Sequence, residues 1–212
     1  MSGSSDERGV RALVVAGSAR ADSNVAALVA LAGRTLAEAG ADVRTTDLST
    51  LLPPVFVHGD DDQAALPSVT TIRGDAAWAD AFLLVTPEYH GNMSGALKNW
   101  FDYLYLELAG KLAGAVAVTG GGGGDMSLTA VERSVSWCHG FCLPYRAAAK
   151  DADFRDGALA DTKVADRIAR IAHDLVRYVG PLRTTWAHAM TLGSGVEAGV
   201  AGLHARDREP DA

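Results

Sequence analysis

The sequence predicts an α/β domain built on a parallel sheet with helices on both faces, and three observations predict it. Short apolar runs at residues 11–16, 80–85 and 112–119 are each bounded by glycine, proline or polar residues. Longer segments with apolar residues at i, i+3 and i+4 lie between them, so strand and helix alternate as in successive βαβ units. The run DAFLLV is continuously apolar rather than alternating, the pattern of a strand buried at the sheet centre.

The composition bounds the rest. At 212 residues the chain suits one domain with a tail to spare. Hydrophobic residues make up 48% and charged residues 21%, a balance that favours neither disorder nor a membrane class. No apolar run reaches the roughly 20 residues of a spanning helix. The start, MSGSSDERG, is polar and acidic where a secretory signal is basic and then apolar, so a cytoplasmic protein is expected. A formal net charge of -7 gives no footprint for a nucleic-acid backbone. The two cysteines, Cys138 and Cys142, exclude a disulfide scaffold and a four-cysteine metal site. Buried free thiols are expected there, and no metal site is predicted.

Residues 1–9 carry no apolar period and are expected to form a disordered leader. The first strand is residues 11–16. A helix follows at 24–39, with Val25, Leu28, Val29, Leu31, Ala32 and Leu36 at helical spacing and Gly40 as its terminator. Residues 41–48 alternate in character and suit a strand near the sheet edge. Residues 49–68 are rich in proline and aspartate without either period, and are expected to form a surface loop walling one side of a cleft. A short helix at 69–79 leads to the third strand at 80–85, placed at the sheet centre. The stretch from Thr86 opens as a loop and closes as an amphipathic helix whose residues 100–106 hold more aromatic and aliphatic surface than one buried face needs. That excess suggests a subunit interface. The fourth strand is 112–119, a helix covers 126–137, and the fifth strand lies within 141–150, delayed by Pro144. A last helix at 161–179 is expected to stop at Gly180 and Pro181. The domain body is thus residues 10–180, followed by a partly disordered extension at 181–212.

Three strand-end loops carry chemistry. After the first strand, Gly17 permits close backbone approach, while Ser18, Arg20 and Ser23 can donate to phosphate oxygens at the positive end of the next helix. The spacing matches neither the dinucleotide glycine pattern nor a P-loop. After the third strand, Pro87 stiffens the chain, Tyr89 can lie along a ring, and backbone N–H groups around His90 to Asn92 suit a flat heteroaromatic ligand. After the fourth strand come five consecutive glycines, Gly120 to Gly124, costly in backbone entropy unless a ligand needs close approach or positive φ. Ligands of open α/β sheets sit outside the carboxyl ends of the strands, so these loops are expected to share one ligand.

Gly17-Ser18-Ala19-Arg20-Ala21-Asp22-Ser23 resembles the G-S-x-R-x-x-S motif of the NADPH-dependent FMN reductase family. Thr86-Pro87-Glu88-Tyr89 with Gly95-Ala96-Leu97-Lys98-Asn99 resembles that family's P-E-Y loop and L-K-N helix. The resemblance implies a flavodoxin-like three-layer sandwich, its five-stranded parallel sheet in the order 2-1-3-4-5. It implies that Ser18, Arg20, Ser23 and Asn24 hold the FMN phosphate. Pro87, Glu88, Tyr89, His90, Gly91 and Asn92 would line the isoalloxazine, and Gly120, Gly121, Gly122 and Gly123 would close over another part of it. Many relatives carry Asn where this chain has His90 and Pro where it has Gly95.

The expected activity is transfer of hydride from NADPH to FMN N5 and on to a second acceptor: quinone, azo compound, metal oxyanion, flavin or a pathway metabolite. Tyr89 and His90 are the candidates for shaping the reactive face, and no side-chain nucleophile is required. Arg20 has a second reading, as partner of the NADPH 2′-phosphate. Family members commonly form dimers or tetramers through the helix after P-E-Y, so a homodimer or homotetramer through residues 100–106 is expected. The alternative class is a flavodoxin-like electron carrier without NADPH turnover.

Overall fold

The computed structural model describes residues 8–205. In chain order its elements are β1 (Arg11–Ala16), α1 (Asn24–Glu38), β2 (Asp42–Asp47), α2 (Asp61–Ala64), α3 (Pro67–Trp78), β3 (Ala81–Pro87), α4 (Gly95–Asp102), β4 (Leu112–Thr119), α5 (Asp125–Trp137), β5 (Phe141–Cys142), β6 (Ala147–Lys150), β7 (Phe154–Arg155), β8 (Ala158–Leu159) and α6 (Thr162–Thr191). Short 3₁₀ turns occupy Leu106–Leu108, Asp151–Asp153 and Val196–His204.

The sheet runs β2-β1-β3-β4-β5, all parallel, with β6 also paired to β4. This is the flavodoxin-like order. The fifth strand is split: Leu112 faces Phe141, but Val116 faces Ala147, a slip in register taken up around Pro144. Proline has no N–H to give to a ladder, so the edge strand breaks there and resumes. On one face of the sheet α1 and α6 bury Val25, Leu28, Leu36, Ile168, Ile171 and Leu175. On the other, α3, α4 and α5 bury Ile72, Leu97, Trp100, Phe101, Leu128 and Val131. The strands between them are apolar on both sides because both sides are covered.

Several expectations are corrected. The last helix does not stop at Gly180 and Pro181; α6 continues through Pro181 to Thr191. A proline inside a helix removes one backbone bond, which local reading treats as a stop. Here the turns beyond it dock on the body: the Trp186 indole lies on Gly110, where a Cβ would come within 2.4 Å of the ring. Within the extension expected to be partly disordered, residues 193–205 include the 3₁₀ turn with Ala198, Ala201 and His204 buried. Residues 206–212, and 1–7 of the expected leader, lie outside the described residues. Arg8 of that leader pairs with Asp80 at 3.0 Å. The long loop at 49–68 contains α2, and α3 opens earlier, on Pro67. The hairpin β7–β8 was not anticipated, although its turn is Asp156-Gly157, both with positive φ, a well-attested hairpin signal.

The helix expected through Leu106 ends at Asp102. Trp100, Phe101, Tyr103 and Leu104 are buried in this chain's own core, and only Tyr105 and Leu106 stay exposed. Trp100 meets Phe82 and Phe101 edge to face, and the Tyr103 hydroxyl donates toward Pro54 O and Gln63 Oε1 on the long loop. Most of the apolar excess is therefore intramolecular packing.

At the opposite, amino-terminal edge of the sheet, Asp80 is buried and accepts from Arg8, Arg11 and Arg183 at 3.0–3.3 Å, and from the Arg11 backbone N–H. Burial works against its charge, but the Arg11 bonds outweigh that and hold its carboxyl below the usual range. Nearby Lys111 donates to Ala76 O and Ala77 O, and burial pushes it down to about 8. Cys138 is buried and Cys142 half-buried; burial pushes their thiols up to about 11 and about 12. No helix among the described residues is long and apolar enough to cross a membrane.

Candidate functional site

The loops after β1, β3 and β4 leave the sheet at the same edge, as parallel strands require. The first is locked from below. Gly17 N–H donates to Val85 O at 2.7 Å, and a Cβ on Gly17 would stand 2.6 Å from that same oxygen and 3.1 Å from Leu97 Cβ. Only glycine lets β1 turn out of the sheet this close to β3. The Ser18 side chain is buried and closes the loop on itself, accepting from Arg20 N and donating to Arg20 O. Ser23 is the N-cap of α1, accepting from Val25 N at 3.2 Å. Its own hydroxyl proton is still available to an anion. Asn24 donates one amide hydrogen to Asp151 at 3.0 Å and keeps the other. Arg20 is exposed and also lines a cavity of 280 Å³ between α1 and β2, with Ser18, Ser23, Thr45 and Asp47.

The second loop is joined to the first by a residue the sequence reading missed. Ser94, the buried N-cap of α4, donates its hydroxyl to Gly17 O and accepts from Leu97 N. Its N–H donates to Thr86 Oγ1, which donates to Pro87 O. Serine two or three residues before an apolar helical run is a capping signal, but its bond to a loop 77 positions away cannot be read locally.

Above this bolt the expected ring-binding residues separate. Pro87 is the buried last residue of β3, opposite Val118, and lies in the sheet rather than on the rim. Tyr89 and Asn92 exchange both backbone bonds at 3.0 Å around His90 and Gly91, whose φ values are 52° and 71°. This is a tight turn of the type that needs positive φ at both central residues. Tyr89 and His90 are exposed on it. Met126, also exposed, lies against Gly91: a Cβ there would be 3.3 Å from its sulfur. A His90→Asn change should preserve this turn, while His90→Val should cost about 1–2 kcal/mol in urea unfolding, because a branched side chain resists positive φ.

Glu88 reaches toward α5 and the glycine loop. Its N–H donates to Val118 O, and its carboxylate accepts from Ser127 N at 3.2 Å, in the first turn of α5. Gly120, Gly121, Gly122 and Gly123 are all exposed. Among the five glycines only Gly124 has positive φ, at 74°, and it forms the N-cap of α5 with no side chain to offer. A Cβ on Gly122 would stand 3.2 Å from Glu88 Oε1, and one on Gly124 2.9 Å from Ala148 Cβ.

The donors left over fit a phosphate: a guanidinium, a capping hydroxyl, an amide and a helix start, with loops of bare backbone alongside. Comparisons with known proteins bear on the family. Residues 10–153 match the family model described as NADPH-dependent FMN reductase. The chain is 29% identical to the NADPH-dependent FMN reductase ArsH of Shigella flexneri over 184 residues, 82% of this chain and 70% of that one. It is 33% identical to the NADPH azoreductase of Bacillus sp. (strain OY1-2) over 133 residues, 62% of this chain and 71% of that one. Among solved structures it superposes on the flavoenzyme NAD(P)H:(acceptor) oxidoreductase FerB of Paracoccus denitrificans with a TM-score of 0.65, at 22% identity, over 82% of this chain and 98% of that one.

Proposed function

The chain belongs to the NADPH-dependent FMN reductase family, and from that premise we propose how its residues serve an NAD(P)H-dependent FMN oxidoreductase. FMN, when bound, supplies the chemistry, taking hydride from the nicotinamide and passing electrons to a second acceptor. Arg20, Ser23 and Asn24 hold the phosphate, and Ser18 holds the loop that presents them. The Tyr89–Asn92 turn and Gly120 to Gly123 border the isoalloxazine, with Tyr89 and His90 on the face where nicotinamide and acceptor alternate. Pro87 contributes from beneath, by ending β3 where the turn must start.

The observation that carries this assignment is the Ser94 hydroxyl bond to Gly17 O, which ties the phosphate loop to the ring loop in one rigid piece. A ligand with a phosphate at one end and a flat ring at the other needs those two loops at a fixed separation. The acceptor is a quinone, azo compound, metal oxyanion, flavin or metabolite, reached over the exposed turn. The protein acts in the cytoplasm as a homodimer or homotetramer. The support for assembly is an apolar strip of Val55, Phe56 and Val57, exposed and held against α4 by the Phe56 N–H bond to Asn99, with Tyr105 and Leu106 exposed beyond the same helix.

The test is spectroscopic. The protein reconstituted with FMN should keep a flavin absorbance through gel filtration, and NADPH added without air should bleach it. A flavin that NADPH fails to bleach would leave an electron carrier. Arg20→Ala should release FMN about tenfold more readily, near 1.4 kcal/mol. Unchanged retention with a raised KM for NADPH would instead assign Arg20 to the 2′-phosphate.

A further inference from the structure

The carboxylate of Glu88 is in an unusual position for a loop that borders a redox ring. It comes from the loop after β3 yet completes the first turn of α5, accepting from Ser127 N at 3.2 Å while its other oxygen rests against Gly122. That turn has no cap of its own, since Gly124 is the N-cap residue and the Ser127 hydroxyl is committed to Gly124 O. The other acidic group there, Asp125, is paired with Arg146 at 3.4 Å, and Arg146 also reaches Glu132 at 3.2 Å. Glu88 pairs with no cation among the described residues. A formal negative charge therefore stands between the ring loop and the glycine loop, where the N–H groups of a helix start are otherwise free to stabilise an anion.

We propose that Glu88 tunes the cofactor, holding the glycine loop in place while its charge disfavours reduced FMN relative to oxidised FMN. The inference rests on the FMN assignment above. Hydride transfer moves two electrons and one proton from the nicotinamide to the flavin, so the ring system gains one negative charge until a second proton arrives from solvent. A fixed carboxylate at the border of the site raises the free energy of that added charge. Reduced FMN is then a stronger donor to the acceptor, and NADPH, which is oxidised in the first half-reaction, drives a less favourable reduction. Glu88 is a positioning residue for the glycine loop and an electrostatic one for the flavin, and it forms no bond to the hydride.

Two neutral variants separate charge from shape. Glu88→Gln keeps an oxygen to accept from Ser127 N, and Glu88→Met keeps the length without the acceptor. Dissociation constants for oxidised FMN and for dithionite-reduced FMN are measured on each by anaerobic fluorescence titration, alongside thermal melts of the same proteins. Removing the charge should strengthen binding of reduced over oxidised FMN by about tenfold relative to wild type, which is about 30 mV in a two-electron potential. The Gln variant should melt with the wild type, and the Met variant should melt lower because the helix start loses its acceptor. An unchanged ratio in either variant that binds FMN overturns the proposal. So does loss of FMN binding in both variants, which would make Glu88 a structural requirement only. Failure of the wild type to bind FMN would be a different result, sinking the assignment on which the inference rests.

Discussion

Gly17→Ala should loosen FMN by about tenfold to a hundredfold, or about 1.4–2.8 kcal/mol, and should lower the stability of the apoprotein by about 1–3 kcal/mol. The added Cβ would stand 2.6 Å from Val85 O, well inside contact distance. A side chain in its way would rotate aside, but a carbonyl in the central strand cannot. The backbone of residue 17 must shift instead, and it carries both the 2.7 Å bond to Val85 O and the carbonyl that accepts from Ser94. The phosphate loop then moves against the ring loop, so the two halves of the ligand no longer meet their partners together. Urea unfolding and flavin fluorescence titration measure the two effects separately. A loss of stability with unchanged FMN affinity would show that the β1 loop does not hold the phosphate.

Asp80→Ala should cost about 3 kcal/mol, the lower end of the range for breaking a buried ion pair, because the guanidinium groups around it keep some contact with water. The carboxylate is 7% exposed and joins Arg8, Arg11 and Arg183, from the chain start, β1 and α6. Removing it leaves cationic side chains crowded near Lys111, whose charge burial already disfavours. The same pairing predicts an acid dependence. Asp80 titrates lower in the folded protein than in the unfolded chain, so the unfolded state binds the proton first. Its contribution is complete above the unfolded value of about 3.9 and disappears as pH falls through the lower folded value. Lys111 has the same slope in a higher window: its folded value of about 8 lies below the unfolded one, so the penalty of burying its charge is relieved as pH rises from about 8 toward 10.5. Urea midpoints for wild type and Asp80→Ala should converge at low pH. A gap that stays constant down to pH 2 would mean the loss is one of packing rather than charge.

The two changes act at opposite edges of the sheet, and only the first should touch the flavin. Asp80→Ala protein that still folds at neutral pH should therefore keep its FMN affinity, because the carboxyl ends of β1 and β3 are held by the Ser94 network and not by Asp80.

What could be read from the sequence was what depends on neighbours in the chain. The continuous apolar run placed β3 at the sheet centre, because a strand buried on both faces has no polar side to alternate. Gly17 located the turn of the first loop, since close backbone approach is decided within a few residues. Proline at 144 announced a broken edge strand for the same reason. Tertiary structure alone decided matters in which distant residues share one space. Trp186 resting on Gly110 carries α6 through a proline that local rules treat as a stop. The core takes up Trp100, Phe101, Tyr103 and Leu104, which by themselves looked like a subunit face. The Glu88 carboxylate accepts from the start of a helix 39 residues away, and Ser94 bolts together two loops 77 residues apart. Periodicity and turn chemistry are local free energies and are written in adjacent residues. Partners across the sheet are chosen by packing, and no spacing in the sequence records them.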